Sequence, residues 1–302
     1  MVMVTNAIVV SDGDLHSTFE GRDHEELSLG SVAGVTDRGV RHDRNEDALA
    51  LATVDAPGGP AVVVVVCDGV SSADRPDEAS LEAARAAVHD LAEAAQAGAD
   101  LADASRAAVE SARDAVIGLA DDPDETPAAT YVSAVVTAGT VTLCWMGDSR
   151  AYWLSAGPDP AAQQLTRDDS LAEEMVAQGL LPAAEALDSP QAHVVTRWIG
   201  YGAREAEPHV ARFTPPGQGA LLLCSDGLWN YDPDGEKMAT LAMPAALDNP
   251  RAAATALLLF ALESGGMDNI TIAVVPYPLA GSDDVTQPIE SAVSQPGDGG
   301  PG

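Results

Sequence analysis

Several apolar runs in this chain stop abruptly at an aspartate beside a glycine, and that pattern limits the fold more than any other. Ala61 to Cys67 ends at Asp68-Gly69, Ala220 to Cys224 ends at Ser225-Asp226-Gly227, and Val141 to Met146 ends at Gly147-Asp148. Continuous aliphatic runs of this length read as strands buried on both faces. An ionised carboxylate at the end of such a strand is costly to desolvate unless it is paired or meets a cation. Three such endings call for one explanation, and a shared metal site supplies it. Asp268-Asn269 opens the run Ile270 to Val275 from its N-terminal side, and Asn45-Glu46-Asp47 precedes Ala48 to Val54. Carboxylate oxygens are hard ligands that suit Mg²⁺ or Mn²⁺ rather than zinc. Taken singly an Asp-Gly pair signals a turn, which accounts for Asp234-Gly235. Turns do not require repeated burial of acids behind long apolar strands.

Around these runs the pattern alternates between strands and helices. Tyr131 to Thr137 is a further strand, and Ala151 to Leu154 reads as another. The Ala-rich stretches Asp77 to Ala97 and Leu101 to Ala120 read as a helical hairpin joined near Gly98, and Pro250 to Glu263 as a later helix. Helices therefore cover the sheets. After Leu165 a polar stretch leads to Ser170 and Glu173, spaced as a capping box, before a short helix ending near Gly179. Such an insertion reads equally as a mobile flap or an ordinary surface connection. Residues 1–27 show no sustained period and are expected to be a poorly ordered extension. The acidic, Gly/Pro-rich segment 278–302 is expected to be a disordered tail, leaving 28–277 as the folded domain.

The formal net charge of −32, from 47 acidic and 15 basic side chains, repels a phosphate backbone, so nucleic acid is not an expected partner. The longest apolar runs, Ala61 to Cys67 and Ala252 to Leu262, fall short of the roughly 20 residues a spanning helix needs. No membrane association is expected, and Met1 to Val10 lacks the basic start of a secretory signal, so a cytoplasmic location follows. Cys67, Cys144 and Cys224 each sit in an apolar run and read as core.

The residues together resemble the metal-dependent Ser/Thr protein phosphatases of the PPM, or PP2C, family in their bacterial form. The resemblance spans roughly residues 29–276. It rests on Thr36-Asp37-Arg38-Gly39 leading to Asn45-Glu46-Asp47, then Cys67-Asp68-Gly69, Ala129-Thr130, Gly147-Asp148-Ser149-Arg150, Leu165-Thr166 with Asp168 to Ser170, Ser225-Asp226-Gly227 and Gly266-Met267-Asp268-Asn269, in the family's order. It implies an α+β fold, a four-layer α-β-β-α sandwich with two central, mainly antiparallel sheets. It also implies two Mn²⁺ or Mg²⁺ ions with a third more weakly held. By that resemblance Asp68 bridges the two ions, the Gly69 carbonyl binds one, Asp226 and Asp268 bind the other, and Glu46 and Asp47 contribute directly or through water. Asp148 corresponds to the third ion. The implied reaction is single-step hydrolysis of phosphoserine and phosphothreonine by a water bridging the ions. Phosphorylated proteins, with a Ser/Thr kinase acting on the same substrates, are the implied partners, and a monomer is expected.

The chain departs from the family in two places. His42 stands where relatives carry a phosphate-binding arginine, flanked by Arg41 and Arg44. In an extended stretch residues 42 and 44 share a face, which favours His42 and Arg44 as phosphate contacts over Arg41. The usual glycine-rich segment after the bridging aspartate is replaced by Val70 to Arg75, so no general acid is assigned there. Two other readings compete. Cys144 and Arg150 have the C-x5-R spacing of thiolate phosphatases, though Trp145, Met146 and Asp148 between them make a poor phosphate cradle. The alternative from another class is a catalytically weak module of this fold that binds phosphorylated partners. His193, near Trp198, reads as a packed or surface residue, in a region where some relatives place a third-metal contact.

Overall fold

In the computed structural model the described residues are 7–11, 14–16, 23–122, 124–202 and 206–280. The longest hairpin explains most of the architecture. Strands β5 (Asp47–Ala56) and β6 (Gly59–Asp68) are joined by Pro57-Gly58, a two-residue turn that fixes their register. Alternate side chains then segregate cleanly. Ala48, Ala50, Ala52, Val63, Val65 and Cys67 join one core cluster, while Leu49, Leu51, Val62, Val64 and Val66 join another. The strands are apolar on both sides because both sides are covered, as their continuous runs predict.

The first cluster lies under a helical layer. Helix α1 (Pro76–Ala97) starts with proline in its first turn and stops at Gly98, whose left-handed conformation donates its N–H to the last carbonyls. Helix α2 (Leu101–Ile117) begins at once, with the Asp100 carboxylate capping the amides of Ala102 and Asp103. The small alanine faces of β5 and of both helices permit close approach. The second cluster fills the space between two sheets, where Leu49, Val64 and Leu143 meet Leu221, Leu223 and Val275. A third lies beneath α5 (Glu236–Ala246) and α6 (Pro250–Glu263) on the far side and takes in Leu228 and Trp229 of the single-turn α4 (Asp226–Trp229).

One sheet has the order β13-β9-β8-β6-β5-β1-β2, with β1 (Ala7–Ser11), β2 (Asp14–His16), β8 (Tyr131–Val136), β9 (Val141–Met146) and β13 (His209–Phe213). The other has the order β11-β10-β14-β15-β4-β3, with β3 (His24–Leu29), β4 (Val32–Asp37), β10 (Arg150–Ser155), β11 (Ala161–Gln164), β14 (Gly219–Cys224) and β15 (Ile270–Tyr277). A short ribbon pairs β7 (Ala128–Ala129) with β12 (Ile199–Gly200). All described pairs are antiparallel except β1 with β5. The expected α-β-β-α sandwich is therefore present.

Within the expected extension, residues 1–27, the described residues supply β1, β2 and the start of β3, with β1 running parallel to β5. β1 lies between β5 and β2, and five- and three-residue strands are too short for a sustained period to announce them. The tail expected from 278 onward lies outside the described residues after 280. The insertion after Leu165 forms α3 (Leu171–Ala177), with Ser170 Oγ accepting from the Glu173 amide at 3.3 Å as the capping spacing predicts.

Ala50 is fully buried between β5 and the helical layer. Ala50→Leu overfills that interface and is expected to cost about 1–3 kcal/mol. The check is a lower urea midpoint with unchanged m value.

Candidate metal centre

Both chain crossings between the sheets that involve acidic motifs occur at one edge of the sandwich. Residues 38–46 carry the chain from β4 to β5, and Gly147-Asp148-Ser149 carries it from β9 to β10. The same edge collects the C-terminal ends of β6 and β14 and the N-terminal end of β15. The turn at Pro57-Gly58 fixes the register that sets Asp47 directly opposite Asp68 at the far end of the hairpin. Asp226 follows β14 and Asp268 precedes β15, so the sequence-expected acids meet in one cleft.

Hydrogen bonds lock this edge across the sheets. Ser225 Oγ donates to Asp47 Oδ2 at 2.7 Å, and the Thr271 amide donates to Ser225 Oγ. Asn269 Oδ1 accepts from the Glu46 amide at 2.7 Å while its Nδ2 donates to the carbonyls of Arg38 and Arg44. Glu46 accepts from Arg44 Nε and, through Oε2, from Ser71 Oγ at 2.6 Å. Two motif glycines are sterically required. A Cβ on Gly69 would drive into the carbonyl oxygens of Pro76 and Glu46, and one on Gly227 into that of Asn269.

The electrostatics of the cleft are one-sided. Burial pushes the Asp47 carboxyl up to about 7, with the charges of Asp268 and Asp226 adding to it and hydrogen bonds from Ser225 and Thr271 opposing. Burial also lifts Asp226 to about 7, reinforced by Asp268. Asp68 and Asp148 are held well above the ordinary carboxylate range, first by burial and then by neighbouring acids. The nearest strong cation, Arg150, lowers Asp148 only in part because its guanidinium forks onto Asp168 at 2.7 and 2.9 Å. Such a set of hard oxygen donors, crowded and mutually repelling, fits divalent cations of the Mg²⁺ or Mn²⁺ kind.

Asp148 has its own surroundings. Its carbonyl accepts from Trp229 Nε1 at 2.9 Å, and Arg150 lies over that indole at 3.6 Å from the ring centroid. His193 stacks on Trp229 at 6.1 Å and offers a nitrogen within 4.8 Å of oxygens from Asp148 and Asp226. His193 thus joins the acids, although its sequence context suggested a packed or surface residue. It lies 45 positions beyond Asp148, in an insertion without period, so spacing gave no signal. Arg150, Asp168 and Trp229 likewise gave none as a unit. An open cleft of about 380 Å³ beside the acids is lined by His193, Gly227, Trp229, Asn230, Met267 and Asp268.

The basic stretch differs from expectation in backbone. Residues 39–41 form a turn and 43–44 a bend, so the alternation of an extended chain does not apply. His42 Nε2 lies 3.1 Å from Asp268 Oδ1. Arg44 pairs with Glu46 and with Asp77 at 3.3 Å, and Arg41 rests its Nη1 on Met267 Sδ. His42 and Arg41 thus touch two residues that line the cleft, Asp268 and Met267, whereas Arg44 is held by acids outside that lining. The thiolate alternative fails: Cys144 is buried, burial pushes its thiol up to about 12, and Arg150 is committed to Asp168.

The sequence profile of the protein phosphatase 2C family matches residues 38–245. The serine/threonine protein phosphatase PstP of Mycobacterium tuberculosis is 30% identical over 249 residues, covering 80% of this chain and 44% of that protein. The serine/threonine phosphatase Stp of Listeria innocua is 33% identical over 148 residues, covering 48% of this chain and 55% of its own length. The chain thus spans about half the length of these curated relatives. A solved PstP catalytic domain in complex with two manganese ions superposes with TM-score 0.63 at 26% identity, covering 80% of this chain and 96% of that one.

A carboxyl held above its unfolded value of 3.8 keeps its proton in the folded state while the unfolded state has lost it, so its stability contribution falls as pH rises from about 4 to about 7. With chelator present, Asp47→Asn should therefore raise Tm over the parent more at pH 8 than at pH 5, and added Mn²⁺ should raise the parent's Tm most at pH 8. Asp168→Asn leaves a buried guanidinium uncompensated and should cost about 3–5 kcal/mol by urea unfolding.

Proposed function

The chain belongs to the protein phosphatase 2C family, and from that premise we propose that it is a protein serine/threonine phosphatase, hydrolysing phosphoserine and phosphothreonine in proteins. The observation that carries this is the convergence of Asp47, Asp68, Asp226 and Asp268 at one edge of both sheets, with Glu46 and the Gly69 carbonyl beside them. In this reading these groups hold two Mn²⁺ or Mg²⁺ ions, and Asp148, with His193 and Asp226, holds a third. Divalent cations there would acidify a water and neutralise charge on the phosphoryl oxygens.

The chain's own contribution is placement. Ser225 and Asn269 hold Asp47 and the Glu46 backbone in position, so little reorganisation precedes reaction. Oxygen from water attacks phosphorus, the bond from phosphorus to the serine or threonine oxygen breaks, and that oxygen leaves with a proton. His42, on Asp268 at the rim, takes the phosphoryl contact that relatives give to arginine. Arg44 supports it from its ion pairs with Glu46 and Asp77, and Arg41 stands further out.

The catalytic domain is taken as residues 28–277, acting as a cytoplasmic monomer opposite a Ser/Thr kinase. No helix among the described residues is long and apolar enough to cross a membrane. The alternative of a catalytically weak binding module gains nothing from a site whose acids are all present.

The test is hydrolysis of a chromogenic phosphate ester with Mn²⁺. Activity should vanish on chelation and survive a thiol alkylator. Asp68→Ala and Asp226→Ala should each lower kcat/KM by more than about 100-fold, beyond the ~10–100-fold typical of losing a ligand's supporting partner. Full activity in both variants would sink the reading, and tight Mn²⁺ binding without turnover would favour the module.

A further inference from the structure

Beside the acidic cleft lies a second one of about 630 Å³, within the roughly 300–1,000 Å³ of small-ligand sites. Its walls include Val70, Ala73, Ala128, Val195, Trp198 and Tyr201, and among its described lining residues none is an acid, arginine or lysine. His193 lines both clefts, and Val70 directly follows Gly69. The two clefts therefore adjoin at His193, one beside the acids and the other largely apolar.

The apolar end is a built feature. Its floor is the ribbon of β7 with β12, where a Cβ on Gly200 would strike the Pro127 carbonyl. The Trp198 indole is oriented by donating Nε1 to the Tyr201 carbonyl at 3.0 Å. The flanking strand is tied down where Thr196 N donates to Asp169 O and Val195 bridges to Ser170. Val194 and Tyr201 remain 47% and 44% exposed at the mouth, large apolar surface left open next to a charged site. Arg197 turns away to Asp169 and His209, so it offers no cation to an acidic ligand.

We propose that this apolar end receives a large aliphatic or aromatic side chain of the substrate protein, close in sequence to the phosphorylated serine or threonine. Because His193 is a wall of both clefts, a peptide with its phosphate at the acids can lay a neighbouring side chain in the apolar one, and three extended residues span about 10 Å. The substrates are then phosphoproteins whose sites are flanked by apolar residues, and the chain's net charge of −32 selects further against acidic flanks. The assignment rests on the phosphatase reading above and specifies the substrate for that same site.

The experiment compares kcat/KM, with Mn²⁺ present, for phosphothreonine peptides carrying Leu, Gly or Glu in turn at each of the three positions on either side, with the chromogenic ester run in parallel. At one or more positions Leu should exceed Gly by at least about tenfold, and Glu should fall below Gly. In Val194→Glu and Trp198→Ala the Leu-to-Gly ratio should collapse toward one. That ratio is taken within each variant, so a misfolded fraction cancels. A flat panel with the ester still turned over overturns the subsite and leaves the phosphatase reading standing. No turnover of peptides or ester overturns both. A flat panel with dimers in sedimentation that Val194→Glu dissociates would give the groove to a second copy of the chain, and that too overturns the proposal.

Discussion

Asp47 and Asp68 face one another across two strands because a two-residue turn ten residues away leaves the hairpin no other register. A slip of one residue would exchange the two faces of β5 and β6, sending Leu49 and Leu51 into the alanine layer and Ala50 and Ala52 into the space between the sheets. Packing of both cores therefore enforces the opposition of two carboxylates that repel one another. The hydrophobic interior holds the acids in place at the cost of their comfort, a cost that a bound cation would relieve. The rest of the edge follows: Ser225, Thr271 and Asn269 stitch the second sheet to the first at the point where the charges gather.

The glycines of the motifs belong to the same constraint. At Gly69 and Gly227 backbone from a neighbouring segment comes so close that no side chain fits. Carbonyl oxygens of Glu46, Pro76 and Asn269 are thereby brought against the acids' own strands. A larger residue would part the two segments and widen the cleft.

Much of this was legible in the sequence because it is local. The runs ending at Asp68, Asp148 and Asp226 announced buried strands with acids at their ends, and the alanine stretches announced the helical hairpin with its break at Gly98. Where the reading failed, the cause was non-local. The bend through residues 39–44 is set by Asn269, more than 220 residues away, which holds the carbonyls of Arg38 and Arg44. His193 meets Asp148 only because the insertion folds back, with the Leu171 amide donating to Val194 and the Thr196 amide to Asp169. No spacing rule contains such contacts.

Trp229 joins the parts of the molecule that spacing rules could not connect. Its N–H holds the Asp148 carbonyl, its ring lies under the Arg150 guanidinium, and the imidazole of His193 from the insertion stacks on it. One indole therefore senses the buried ion pair, the acidic edge and the insertion together. Its fluorescence should therefore respond when a cation enters beside Asp148, which gives the molecule a built-in optical gauge of its own site.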